Sequence, residues 1–228
     1  ARPGFEPGAF HRVAPERWVN PAVSEVYEPG STFKLITAAA ALDSGRVDST
    51  HTFACPPFLQ LGKYRIRDVH RFCTRTQTLE DIIRHSSNVG AAQVAQVVGK
   101  EIFYDYIRRF GFGAPTGIDV PGESGGIVNP PTAWLGPGLE TIGFGQGIST
   151  TALQLLTAAS ALANDGMLVP PHVVRMVRDR EGRVVRAVSP QPARRVVTPE
   201  TARALLRMMV RTVEDGTGKM AAVPGYTV

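Results

Sequence analysis

No stretch of this 228-residue sequence approaches 18 consecutive apolar residues, so nothing in it is long enough to cross a bilayer as a helix. The longest apolar run, Leu35 to Leu42, is rich in alanine and interrupted by Thr37. It reads as a buried helix. Lysine is scarce: only four of the 25 basic residues are Lys. The net charge of +5 therefore rests on arginine, and the arginines are scattered. The densest group, Arg175 to Arg186, alternates with Val and acidic residues, and no nucleic-acid-binding motif accompanies it. This argues for a solvated face, or a general attraction to an anionic cell envelope, and against a nucleic-acid partner. The five His show no metal-ligand spacing. The two cysteines, Cys55 and Cys73, are too far apart for a zinc or Cys-x-x-Cys site. They would pair in an oxidising compartment and stay as buried thiols in a reducing one. Internal repeats and low-complexity tracts are missing. There is no initiator Met and no signal pattern, and Arg2-Pro3-Gly4-Phe5-Glu6-Pro7-Gly8 reads as loop, as though the chain opened in mid-protein.

What remains is an ordinary globular composition, 43% hydrophobic and 20% charged, with enough length for one domain and its core. Residues 1–30 are rich in Pro and Gly and read as loop or extended chain. Helix signals begin at Ser31, with Gly30 before and Gly45 beyond the end. Residues 46–77 look irregular, with short strands around Tyr64 to Val69. Thr78 and Asp81 have the spacing of a cap for a helix through Ile82 and Ile83. A second helix runs from Ser87-Asn88 to Val98, closed by Gly99. Phe103, Tyr106, Ile107 and Phe110 repeat at helical spacing, which reads as core packing. After a Gly- and Pro-rich stretch over 111–147, an apolar helix spans Thr151 to Ala163. Valine-rich segments at 172–178 and 183–188 flank Asp179-Arg180-Glu181-Gly182 as a hairpin. Thr198-Pro199-Glu200 starts a helix that reaches about Glu214. Gly225-Tyr226-Thr227-Val228 reads as the entry into a strand.

The chemistry centres on Ser31-Thr32-Phe33-Lys34. Three residues make nearly one helical turn, so the hydroxyl and the amine share a face. A serine hydroxyl is a weak nucleophile until a base lies within hydrogen-bond reach. Lysine can be that base only when neutral, a state that burial and nearby positive charge favour. Ser31 would also stand at a helix N-terminus, where N–H groups stabilise developing negative charge. By chance alone about 0.18 such Ser/Lys pairs are expected in this composition. Two neighbours raise the signal. Tyr27-Glu28-Pro29-Gly30 sets a tight turn, and the alanine-rich helix behind can keep Lys34 out of water. Some 50 residues on, Ser86-Ser87-Asn88 offers a hydroxyl to relay a proton and an amide to hold Lys34 and substrate together; its plain alternative is a helix cap.

These strings together resemble the serine acyltransferases that use S-x-x-K, S-x-N and K-T-G, and among them the class B penicillin-binding proteins. The resemblance is carried by Asn20-Pro21-Ala22-Val23 and Tyr27 through Lys34, and by His85-Ser86-Ser87-Asn88-Val89-Gly90. It continues in Phe110-Gly111-Phe112-Gly113, Thr116 through Glu123, Gly143-Phe144-Gly145-Gln146-Gly147 and Leu153-Gln154. Lys-Thr-Gly itself does not occur. Gly218-Lys219-Met220 is neither that motif nor a phosphate loop, since Met220 stands where Ser or Thr is needed.

The resemblance implies a peptidoglycan D,D-transpeptidase with catalytic Ser31, Lys34, Ser86 and Asn88, no cofactor and no metal. Its partners would be stem peptides, β-lactams, and proteins of the division or elongation machinery. It implies an α+β, helix-rich penicillin-binding fold, incomplete here because much of a five-stranded sheet is missing, with residues 1–228 as one transpeptidase domain truncated at both ends. The location would be the extracytoplasmic face of the plasma membrane, anchored by a segment outside these residues. In that compartment Cys55 and Cys73 would pair. With half an oxyanion hole and no third motif, the 228 residues alone would acylate slowly or not at all. A β-lactam sensor and a β-lactamase-like hydrolase are the alternatives, and for the latter Glu123 and Glu140 are the default water-activating carboxylates.

Overall fold

The structure is a computed structural model that describes residues 7–15, 18–70, 72–73, 75–188 and 193–228. The loop expected over Arg2–Glu6 lies outside them. The rest of the N-terminal stretch is less extended than its Pro and Gly content predicts. Pro7–Arg12 makes 3-10 turns, and Asn20 caps a single helical turn, α1 (Pro21–Ser24), through its side chain on the Ala22 N–H.

Four small alanines decide the centre. In α2 (Lys34–Asp43), Ala38 to Ala41 are fully buried, and helices can approach on every side because no side chain exceeds a methyl group. Glycine then ends the helix, with Gly45 at φ +67. Three-residue strands follow: β1 (Thr52–Ala54), β2 (Leu59–Leu61), β3 (Tyr64–Ile66) and β4 (Thr76–Thr78). The strand expected to reach Val69 stops at Ile66. β1 pairs antiparallel with β4, and β2 with β3. Thr78 and Asp81 form a reciprocal capping box for α3 (Leu79–His85). Next come α4 (Asn88–Val98) and α5 (Lys100–Arg109), joined by Gly99 at φ +83. α2 packs against α3, α4 and α5.

The Gly- and Pro-rich stretch hides a short helix, α6 (Gly138–Gly143), which lies on α4 where Gly143 meets Ala91 and Ala95. α7 (Ala152–Ala163) begins at a second capping box, Thr151 with Gln154. Beyond it, β5 (Met167–Leu168) pairs with β8 (Arg194–Arg195), and β6 (Met176–Arg178) with β7 (Val184–Ala187). The hairpin is shorter than the valines imply. The N–H groups of Val173 and Val174 donate to the Asp119 carboxylate, both at 2.8 Å, so they are not free to join a ladder. α8 (Pro199–Asp215), capped by Thr198, closes over α2 and α3. Asp43, at the end of α2, accepts from the Thr198 N–H and the Tyr106 hydroxyl, tying α8 and α5 to the central helix.

The described residues thus form helices around α2 with four separate two-stranded pairs and no five-stranded sheet. The strand expected at Gly225–Val228 is not formed: a strand needs a ladder partner, and none lies beside it among the described residues.

Cys55 and Cys73 are joined as a disulfide with their Cα atoms 6.1 Å apart. It closes a loop that holds the β2–β3 hairpin and residues 67–70. Constraining 18 residues of the unfolded chain is worth about 3 kcal/mol. The double variant Cys55→Ser/Cys73→Ser is expected to lose about that much in denaturant unfolding under non-reducing conditions. An unchanged unfolding midpoint would mean that the bridge constrains nothing.

Candidate active site

The turn that presents Ser31 is built from backbone. Gly30 has φ +56, and Gly30–Phe33 forms a 3-10 turn that runs directly into α2. A 3-10 turn closes in three residues, so Ser31 and Lys34 eclipse more closely than in the α-helix anticipated from sequence. Phe33 anchors the turn. It is wholly buried, with its ring edge-on to Phe112 and Phe103 at centroid distances of 5.1 and 6.4 Å. With that ring inward, Ser31 and Thr32 face outward.

A second segment braces the turn from behind. Gly30 N–H donates to Gly145 O at 3.0 Å, Gly147 N–H to Glu28 Oε1 at 2.8 Å, and the Thr37 hydroxyl to Gly143 O at 2.8 Å. Tyr27 bridges Thr150 in both directions. Gly145 has φ +83 and lies flat on Gly30: a Cβ there would sit 2.0 Å from Gly30 O. The Gly143–Gly147 string therefore works as a platform under the turn that carries Ser31.

Lys34 is 2% exposed, and its amine is ringed by oxygens. Nζ lies 2.6 Å from Ser86 O, 2.8 Å from Asn88 Oδ1, 3.0 Å from Ser86 Oγ and 3.1 Å from Ser31 Oγ. The two nearest can only accept. A neutral amine has two N–H bonds and one lone pair. Spending the N–H bonds on Ser86 O and Asn88 Oδ1 leaves the lone pair for the two hydroxyls. Burial favours that neutral state, lowering the Lys34 pKa from its ordinary value to about 8 against the opposing charge of Asp68.

Ser86 reaches the amine with two atoms because of its backbone. It ends α3 in the left-handed region, φ +58, where a non-glycine residue is strained and is held by its surroundings. Asn88 opens α4, and its Nδ2 donates to Arg67 O at 3.2 Å. The helix cap that Ser-x-Asn could have been belongs to the residue between. Ser87 is 1% exposed, accepts from Gly90 N–H at 2.8 Å and donates to the Asp68 carboxylate. The four site residues proposed from sequence, Ser31, Lys34, Ser86 and Asn88, thus converge on one amine. Sequence reading missed Asp68 and the contact of Gly145 with Gly30, whereas the helix start at Ser87-Asn88 and the cap offered for Ser-x-Asn were both anticipated. Gly145 lay inside a noted string, whereas nothing local marks Asp68.

In front of Ser31 lies a cleft of ≈ 310 Å³ walled by Leu35, Ile83, Met209 and Val213. No Asp or Glu lines it among the described residues. Glu123 instead accepts from the Thr116 and Gly117 N–H groups to close its own loop, and Glu140 accepts from Gln96. Neither stands at the cleft, which corrects their default assignment as water activators. Met220, beside Lys219, is almost fully exposed on a separate 3-10 turn.

Residues 1–228 match the family model described as penicillin binding protein transpeptidase domain. The penicillin-binding protein PbpB of Mycolicibacterium smegmatis is 37% identical over 233 residues, covering 98% of this chain and 36% of that protein. Penicillin binding protein 3 of the tubercle Mycobacterium, crystallised with ampicillin, superposes with a TM-score of 0.85 at 35% identity, covering 91% of this chain and 47% of that one. The D,D-transpeptidase domain of a peptidoglycan glycosyltransferase from Eggerthella lenta superposes at 0.84 with 25% identity, covering 92% and 54%. The chain therefore spans about a third to a half of the length of these relatives.

Proposed function

This chain belongs to the penicillin-binding protein transpeptidase family, and from that membership and the Ser31–Lys34 pair we propose that its protein cross-links peptidoglycan as a D,D-transpeptidase. The observation that carries the reading is the four-oxygen ring around a buried lysine whose pKa is lowered to about 8.

In the proposed mechanism neutral Lys34 takes the Ser31 proton as Oγ attacks the penultimate D-Ala carbonyl of a stem peptide. The Ser31 N–H, at the start of the helix where no intrahelical acceptor exists, faces the developing oxyanion. The tetrahedral intermediate expels terminal D-Ala as the C–N bond breaks. Its nitrogen receives the proton that Lys34 holds, passed through Ser86 Oγ at 3.0 Å. Asn88 keeps the amine aimed during both transfers. A neighbouring stem's amine then attacks the ester, the protons retrace the path, and Ser31 is freed. A β-lactam follows the first half only: its amide C–N bond opens, the leaving nitrogen stays tethered and the ester persists. The second oxyanion donor and a further lysine would come from a Lys-Thr-Gly segment, which these 228 residues do not contain. The same reading places the protein on the extracytoplasmic face of the plasma membrane, with an anchor outside these residues and partners in the division or elongation machinery. The Cys55–Cys73 disulfide supports an oxidising compartment.

Peptide mapping of the full-length protein after treatment with a penicillin is expected to place the adduct on Ser31. The acylation rate should rise with pH through about 8, because below that value Lys34 is protonated and cannot accept the serine proton. An adduct on another residue would overturn the assignment of the nucleophile, and a flat profile would remove Lys34 as the base.

A further inference from the structure

We infer that Asp68 is a positioning residue of this site: from the segment after β3 it clamps the start of α4, thereby aims Asn88 at Lys34, and places a fixed negative charge beside the base. The inference rests on the reading of Lys34 as the base. Asp68 Oδ1 accepts from the Val89 N–H at 2.9 Å, and Oδ2 accepts from the Ser87 hydroxyl at 3.0 Å. Both residues are buried, so neither group has water as a substitute. The adjacent Arg67 O accepts from Asn88 Nδ2. Residues 67 and 68 thus hold Ser87, Asn88 and Val89 in succession. An amide whose Nδ2 is pinned has one direction left for Oδ1, and that direction is Lys34 Nζ.

The clamp has an electrostatic consequence, because a carboxylate near an amine favours the ammonium form. Among the described residues, Asp68 is the ionic group that acts against burial at Lys34. The other groups around that amine are neutral: Ser31 from its turn, Ser86 from the end of α3, Asn88 from α4, and Met209, Thr212 and Val213 from α8 across the cleft. Arg67 lays its guanidinium over the Phe58 ring, and His85 stacks on Phe72. Asp68 therefore improves the aim of the base while lowering the fraction that is neutral.

These two effects separate by mutation in the full-length protein, with acylation by a fluorescent penicillin followed against pH. Asp68→Asn keeps an acceptor for Val89 and removes the charge. Its rate should begin to rise at lower pH than wild type, by on the order of half a unit, with a plateau lowered about two- to threefold. Ser87→Ala keeps the charge and cuts one bond of the clamp. Its plateau should fall about tenfold with the rise at wild-type pH. If Asp68→Asn rises at the wild-type pH, the carboxylate does not bias the base. A Ser87→Ala plateau equal to wild type would show that the clamp does not aim Asn88. Either result overturns the inference. Failure of the underlying reading looks different: wild type itself would show no adduct on Ser31 or no rise with pH.

Discussion

Exchanging Lys34 for arginine is expected to slow acylation of Ser31 by about 10²–10⁴-fold and to erase its rise with pH. The guanidinium keeps the charge and the donors but never becomes neutral in a protein, so it cannot take the serine proton. The geometry sharpens this expectation. Two of the four oxygens around Nζ, Ser86 O and Asn88 Oδ1, only accept, and an arginine could satisfy both while leaving Ser31 Oγ with no base. Because Lys34 is 2% exposed, the larger head must also be accommodated, at about 1–3 kcal/mol. A thermal melt measured beside the labelling rate separates the two losses. A variant that is acylated at nearly the wild-type rate would show that Lys34 is structural and that another group accepts the proton.

The second large effect is expected from a residue with no functional group. Gly145→Ala should both destabilise the domain and disable Ser31. Its φ of +83 strains any L side chain, and the new Cβ would stand 2.0 Å from Gly30 O and 2.6 Å from Gly30 N. Both contacts are backbone, so no rotamer can relieve them. The platform must move off the turn, breaking the bond between Gly30 N–H and Gly145 O. A stability loss of about 2–4 kcal/mol follows from overpacking and a lost buried hydrogen bond. A displacement of Ser31 by about an ångström can cost roughly 100-fold in rate. Gly30→Ala is the control: φ +56 carries strain, but open space surrounds the new methyl group, so about 1–2 kcal/mol is expected. Chemical denaturation and labelling rates of the two variants decide the matter. Equal, small losses would mean that the platform is soft and does not hold the turn.

What could be read from sequence was local. The caps at Thr78, Thr151 and Thr198 and the stops at Gly45 and Gly99 are written within a few residues of their effect, and α2, α3, α4, α7 and α8 begin or end accordingly. The Ser31–Lys34 pair was legible because its partners are one turn apart. Ser86 and Asn88, 52 and 54 residues from Lys34, could be offered from their side-chain chemistry, but it was the family's motifs that tied them to the same site. Asp68 carries no such mark. Its role depends on a disulfide-closed loop delivering it to a helix start 19 residues on. The valines at 173–174 misled for a related reason: their N–H groups belong to Asp119, 54 and 55 residues earlier. The terminal strand failed because pairing, more than side-chain preference, makes a strand.

Ser86 and Ser87 are identical in chemistry, adjacent in sequence, and not interchangeable. The sign of one dihedral angle divides their labour: φ is +58 at Ser86, which turns its hydroxyl and carbonyl to the amine, and −65 at Ser87, which turns its hydroxyl to the next helix. A spare copy of a functional group normally offers redundancy. Here it offers none, because neither serine can reach the other's partners without unwinding the helix that it ends or begins. On the mechanism proposed above, the doubled serine is therefore two single points of failure, one for proton transfer and one for the frame that aims it.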